Sequence, residues 1–217
     1  MSTLAVIDAD SIVYAAAFAA QDWAIFDEDG NMCNVYDSKS DAKEAAIHAG
    51  DVVEPQPRSD DDAKANADSI IDSIILDLNP DQLQVWLTHP DSSANFRKSV
   101  DPNYKENRKN FVKPYHFKTV RQHLLDSWEA EVSREGWEAD DEVAAIGWQS
   151  HEQGNVVICS IDKDLDTVPG YHYRWRTYNR DAKDDMTPEE IKTRMHTNCT
   201  LLHLLRHDND KWEPPEV

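Results

Sequence analysis

Apolar and polar positions fall into short blocks along this chain, and the blocks predict strands that run into acids, separated by amphipathic helices. Leu4 to Ile7 is an apolar strand ending at Asp8, and Ser11 is placed to cap an Ala-rich helix from Ile12 to Ala20. Trp23 to Phe26 and Met32 to Tyr36 flank Asp27-Glu-Asp-Gly-Asn31 and predict a β-hairpin. Ser38 to Ala49 predicts a short helix stopped by Gly50, and Asp51 to Asp62, with Pro55 and Pro57, predicts a solvated linker. From Ala63 to Leu78 the residues Ile70, Ile71, Ile74, Ile75 and Leu78 form one apolar helical stripe, the mark of a core-facing helix. Gln82 to Thr88 is the next strand and runs into His89-Pro-Asp91.

Further on, Tyr115 to Glu129 predicts a helix and Ala130 to Arg134 a short strand. Glu138-Ala-Asp140-Asp141-Glu142 opens a helix whose stripe is Val143, Ala144, Ile146 and Gly147. Val156 to Ile161 is apolar and β-branched on both faces, as a buried parallel strand is, and ends in Asp162, Asp164 and Asp166. At a strand end, Asp162 and Asp164 would point to the same side. Tyr171 to Thr177 alternates as a strand, Thr187-Pro-Glu-Glu opens a helix, and Asp208 to Val217 reads as a loose tail.

Composition narrows the function. The 217 residues fit one domain with a small appendage, without an internal repeat. Lys plus Arg is 22 against 42 Asp plus Glu, a formal charge of −20 that argues against coating nucleic acid through a basic face. Cys33, Cys159 and Cys199 have no metal-ligand spacing and suit a reducing cytosol. No basic leader region and no apolar run of membrane length stand out, so the expectation is a soluble cytoplasmic protein without a membrane partner.

Positive charge is concentrated in one place. From Arg97 to Gln122 eight Lys and Arg residues face two acids, with Phe96, Tyr104, Phe111, Tyr115 and Phe117 interleaved. Cations for phosphates and rings for bases or sugars are what a single-strand or junction binder uses. The alternative is a basic helix that balances an acidic body.

Asp8, Glu138, Asp140, Asp141, Asp162 and Asp164 stand at strand exits or a helix start. Individually they also fit helix caps, dipole-complementing first-turn acids or a solvated loop. Collectively, carboxylates without Cys or His favour Mg²⁺ or Mn²⁺, and two such ions about 3.5–4 Å apart support phosphodiester hydrolysis. The chain has six Gly residues, no Gly-Lys-Ser/Thr and no Gly-x-Ser-x-Gly, which removes P-loop and nucleophile-elbow chemistry.

The order of these motifs resembles the 5′-to-3′ exonuclease and flap endonuclease family, most closely the exonucleases of T7-like bacteriophages. The resemblance is carried by Val6-Ile-Asp8-Ala-Asp10, Phe96-Arg-Lys-Ser-Val-Asp-Pro-Asn-Tyr104-Lys-Glu-Asn-Arg108-Lys, Glu138-Ala-Asp-Asp141 and Ser160-Ile-Asp162-Lys-Asp164-Leu. It implies an α/β, PIN-like fold with a central, mostly parallel sheet flanked by helices. It also implies two divalent ions, Mg²⁺ or Mn²⁺, held by Asp8, Glu138, Asp140, Asp141, Asp162 and Asp164, with Asp91 at a slightly shifted spacing. Lys105 and Arg108 are implied as the phosphate-steering pair, acting with Asp8, Asp162 and Asp164 in catalysis. Tyr104, Arg97 and Lys109 join that pair in substrate binding. Asp10 and Asp166 match positions that are not usual ligands.

The implied substrate is DNA at 5′ ends, duplex or flap, with RNA–DNA hybrid or RNA primers as further substrates. The expected organisation is a catalytic domain over 1–180 with an insertion at about 22–62, then a C-terminal helix and tail over 181–217. The family's Gly-Asp-x-x-Asp segment and Gly-rich helix–hairpin–helix have no counterpart here, and Gly170 is the last glycine. That departure predicts a C-terminally truncated form, with a second polypeptide to supply the missing duplex grip. The rival expectations are a weak or inactive DNA-binding fragment and a PIN-type ribonuclease.

Overall fold

The computed structural model describes residues 3–91, 94–101, 103–106, 111–150 and 155–175. In chain order the elements are β1 (Leu4–Asp8), α1 (Asp10–Ala19), β2 (Gln21–Phe26), β3 (Met32–Tyr36), α2 (Lys39–Ala45), β4 (Val52–Pro57) and α3 (Asp60–Leu78). They continue with β5 (Gln82–Leu87), α4 (Phe96–Val100), α5 (Phe117–Ser127), β6 (Glu131–Val132), α6 (Ala139–Ser150), β7 (Val156–Cys159), a 3-10 turn (Asp164–Thr167) and β8 (Tyr171–Tyr173). The chain divides into two compact units. Met1–Ser11, Asp72–Phe111 and Ser127–Val217 make the first, and Ile12–Ile71 with Val112–Asp126 make the second.

The first unit is built on a five-stranded sheet, β6-β5-β1-β7-β8, in which every neighbouring pair is parallel. This is the α/β class with a mostly parallel sheet that the sequence predicts. Val6, Val156 and Ile158 of the strands bury against Val143 and Ala144 of α6, and Leu165 and Val168 close the cluster. Apolar surface removed from water in this way is the main favourable term in folding such a layer. Gly147 lets α6 sit close to the sheet, because a Cβ there would meet Val168 Cγ1 at 2.7 Å and Ile158 Cδ1 at 2.8 Å.

Parallel pairing sends all five carboxyl ends to one edge. From β1 the sheet grows through β5 to β6 on one side, and β7 and β8 then add on the other. The switch in direction lies between β1 and β7, where an open α/β sheet leaves a crevice for a ligand.

The second unit holds a three-stranded antiparallel sheet, β3-β2-β4. The expected hairpin is present, with Asp27 Oδ1 accepting the backbone N–H groups of Asp29 (3.0 Å) and Asn31 (2.8 Å) across its turn. The segment expected to be a linker is instead strand β4, paired along β2 from Gln21↔Pro57 to Phe26↔Val52. Its prolines disguised it; they are tolerated because β4 is an edge strand and a proline there need not donate to the ladder. Helix α3 begins at Asp60, three residues earlier than predicted, because Ser59 and Asp62 cap it reciprocally. His116 is buried, with Nδ1 at 2.8 Å from Asp60 Oδ1 and Nε2 at 2.9 Å from the Arg58 carbonyl. The helix and tail expected beyond Thr187 lie outside the described residues. Among the described residues no helix is long and apolar enough to cross a membrane.

The tight α6–β7 contact yields a direct test. Gly147→Ala forces a methyl into Val168 and Ile158, and overpacking of this kind costs about 1–3 kcal/mol. Urea denaturation should show a lower midpoint with an unchanged slope.

Candidate functional site

The candidate site is assembled where β1, β5 and β7 end, all within the first unit. β1 delivers Asp8 to the switch point, 6% exposed. Ser160, the first residue after β7, donates its hydroxyl to Asp8 Oδ2 at 2.9 Å and accepts the Asp162 N–H at 3.0 Å. Asp10 Oδ1 accepts the Thr88 N–H at 3.2 Å and Thr88 Oγ1 accepts the Ala139 N–H at 2.8 Å, so the end of β5 is tied to both acid-bearing segments. Ser160 and Thr88 were not singled out from sequence. Ser160 carried a signal only as the first residue of Ser-x-Asp, and Thr88 carried none.

Burial pushes the Asp8 carboxyl up to about 7, and the neighbouring Asp10 and Asp162 carboxylates push the same way against the Ser160 hydrogen bond. Asp140 is likewise raised by burial, then by Asp141, Glu138 and Asp8, with Arg97 opposing. Its Oδ1 is sealed from solvent with no hydrogen-bond partner among the described residues. A buried carboxylate oxygen left in this state costs free energy unless a cation or a proton satisfies it.

Glu138, just before α6, and Asp141 in its first turn already have cations. Arg97, 1% exposed, forms two parallel bonds to fully buried Asp141, Nη1 to Oδ2 at 2.8 Å and Nη2 to Oδ1 at 2.9 Å. Asp141 Oδ2 also accepts the Glu138 N–H at 3.0 Å, capping the first turn of α6. Arg97 therefore sits inside the protein beside the acids, and not on a surface where the sequence placed it as a substrate contact. The guanidinium lies 4.6 Å from the Phe96 ring centroid and 5.9 Å from that of Tyr104.

Glu138 is 8% exposed and receives Lys105 Nζ on Oε1 at 2.5 Å and the Tyr104 hydroxyl on Oε2 at 3.0 Å. Burial alone would raise its carboxyl, yet Lys105, Arg97 and Tyr104 together hold it below the usual range. Burial and the Glu138 carboxylate push the Tyr104 phenol up, so it stays a donor.

Two predicted residues are placed differently from the strand-based expectation. β7 ends at Cys159, so Asp162 and Asp164 belong to a turn and to the 3-10 segment, and strand parity does not orient them. Asp162 Oδ1 instead accepts the Asp164 N–H at 3.0 Å. Asp166 pairs with Arg174. Asp91 is exposed in the turn after β5, its N–H donating to His89 Nδ1 at 3.2 Å. Arg108 and Lys109 lie outside the described residues.

Among the described residues no three Asp, Glu, His or Cys side chains already stand together as a finished ion cage. Glu138 and Asp141 are turned toward Lys105 and Arg97. The donor chemistry nevertheless fits a hard divalent cation. The oxygens are all carboxylate, one on Asp140 is orphaned, and burial disfavours the ionised form of Asp8.

A parallel sheet with carboxylates at its switch point, and a basic segment bonded to one of those acids, make this an α/β protein with an acidic site at the carboxyl edge of its sheet. The chain belongs to the family described as 5′-3′ exonuclease, N-terminal resolvase-like domain, whose model matches residues 61–196, more than half of it. Asp8 precedes the matched stretch, so its place rests on geometry. The exodeoxyribonuclease of Enterobacteria phage T3 and the exonuclease of Escherichia phage T7 are each 38% identical over 89 residues, covering 39% of this chain and 30% of theirs. The chain thus aligns with under a third of the length of these relatives.

Among solved structures, a bacteriophage T5 protein co-crystallised with metal ions is 18% identical, with 79% of this chain and 53% of that chain covered and a TM-score of 0.44. The bacteriophage T5 flap endonuclease in a pseudo-enzyme–product complex with DNA and metal ions gives 18%, 79%, 54% and 0.45.

The electrostatics predict opposite effects for two neutralising substitutions. Burial lifts the Asp8 pKa from 3.8 to about 7, so the Asp8 contribution to stability is full below about pH 4 and is lost as pH rises through 7. Asp8→Asn should remove that slope and raise the Tm of the metal-free protein at pH 8. Asp141→Ala should lower stability by roughly 3–5 kcal/mol, because it strands the buried Arg97 guanidinium. Thermal melts at pH 5 and pH 8 in a chelator read both.

Proposed function

We propose that this chain is a divalent-metal-dependent 5′-to-3′ exonuclease of phage type that hydrolyses DNA phosphodiesters, with flap-endonuclease character and removal of RNA primers as extensions of the same site. The observation that carries the reading is the orphaned Asp140 carboxylate oxygen, buried beside Asp8 and Glu138 at the carboxyl edge of the sheet in a chain of this family. The names of the relatives, exodeoxyribonuclease and exonuclease, agree with it. The catalytic region is assigned to residues 1–180 with 22–62 as an insertion, acting in the cytoplasm of the cell where the DNA is processed.

Asp8, Asp140, Asp162 and Asp164, with Glu138, would hold two ions, Mg²⁺ or Mn²⁺. Bound there, the ions supply an activated water and stabilise the oxygen that leaves phosphorus. The chain's own residues do the rest. Ser160 aims Asp8 through its 2.9 Å bond and fixes the Asp162 backbone, so one hydroxyl sets two acids. The Arg97–Asp141 pair holds the first turn of α6 and thereby the positions of Glu138 and Asp140. Lys105, with Arg108 and Lys109 further along the same segment, provides positive charge for the phosphate backbone, and Tyr104 offers a ring beside it. Such contacts make affinity fall steeply with salt.

The test is a 5′-labelled linear duplex and a 5′-flap substrate incubated with the full chain and Mg²⁺. Release should begin at the 5′ end, vanish in chelator and fall on the order of 10³-fold in Asp162→Ala, since the ions contribute several kcal/mol. Circular DNA without ends should resist. A folded chain that cuts nothing with Mg²⁺ or Mn²⁺, or that prefers single-stranded RNA, would overturn the reading.

A further inference from the structure

Arg97 and Lys105 hold the acids Asp141 and Glu138, and their settings differ. Arg97 and Asp141 are both buried and meet through two parallel bonds, an arrangement that can open only by exposing a guanidinium socket to water. Lys105 meets Glu138 through one ammonium and one oxygen, and its side chain is 35% exposed. Its backbone lies at φ 59°, in the left-handed region that a residue with a Cβ occupies under strain. The pair is therefore held from the solvent side by a residue in a strained backbone conformation.

We propose that Lys105 is an exchangeable counter-ion: it neutralises Glu138 in the metal-free protein, and a divalent cation displaces it, freeing its ammonium for a substrate phosphate. The inference rests on the metal-dependent reading above and specifies what happens at Glu138. Loss of Lys105 empties Oε1 alone. Oε2 keeps the Tyr104 hydroxyl at 3.0 Å and the Arg97 guanidinium at 3.4 Å, so the carboxylate stays aimed while one oxygen becomes available. A dication and an ammonium compete for the same oxygen, and the dication interacts more strongly with a site that also contains Asp8 and Asp140. The released ammonium is a flexible point charge, suited to a phosphate that varies in position. The exchange couples two events: the basic segment becomes ready for DNA when the acid site is charged.

The experiment follows Lys105 itself in the full chain without DNA. Amine acylation of Lys105, read by mass spectrometry against exposed Lys43, should be slow in chelator and several-fold faster at saturating Mg²⁺. Titration calorimetry should show Lys105→Met binding Mg²⁺ several-fold tighter than the unmodified chain, and more so than Lys98→Met, which removes a charge of the same segment. Equal Lys105 acylation in both conditions while calorimetry records Mg²⁺ binding would overturn the exchange and leave the metal reading standing. Equal affinities of the two lysine variants would overturn it likewise. No Mg²⁺ binding by any of the three proteins would overturn the metal reading and the exchange together.

Discussion

The buried ion pair between Arg97 and Asp141 is the constraint on which the site depends. Its two bonds join α4, where the basic segment begins, to the start of α6, where Glu138 precedes the helix and the first turn carries Asp140 and Asp141. Taking both charges out of water costs several kcal/mol each, so the pair is weak evidence for stability as such. What it contributes is definition. The guanidinium fixes Asp141, Asp141 fixes the Glu138 N–H, and the same guanidinium lies 3.4 Å from Glu138 Oε2. Phe96 and Tyr104 flank the cation with their rings and keep water from it. Asn95 Oδ1, accepting the Arg97 N–H at 2.9 Å, seats the start of the helix.

With Asp141 committed to Arg97 and Glu138 to Lys105, the acids separate into two sets. One set is neutralised from within the protein. The other, Asp8 with Asp140 and Asp162, is held in mutual repulsion at the crevice between β1 and β7, where burial raises the first two carboxyls. The parallel sheet creates this tension, because every strand ends at the same edge and β1 and β7 are direct neighbours. A protein that keeps ionisable groups in such a position carries a cost in stability that ligand binding offsets. On the proposed reading that ligand is a divalent cation, and the orphaned Asp140 oxygen is the place it would take.

Much of this was legible in the chain because local pattern and tertiary role agree. The apolar runs of β1 and β7, the hairpin turn around Asp27 and the stripe of α6 all follow from periodicities of two and 3.6. β4 was hidden by its own prolines, which read as punctuation unless an edge position is known. β7 stops two residues short of the apolar run, since Ser160 turns the chain to reach Asp8, and so the alternation argument for Asp162 and Asp164 lapsed. The role of Arg97 was beyond the reach of pattern. In the sequence it is one cation in a basic run, and its partner is 44 residues away. The same holds for Lys105 and Glu138, separated by 33 residues and joined only by the fold.

On the proposed reading Asp140 is a cation ligand, whereas Asp141, its neighbour in sequence, is a structural counter-ion to Arg97. Calorimetric titration of Mg²⁺ into the Asp140→Asn chain at pH 8, beside the unmodified chain, tests it most directly. Binding by the unmodified chain is expected, with the binding heat lost in a variant that melts no lower. Unchanged Mg²⁺ affinity in Asp140→Asn would contradict it.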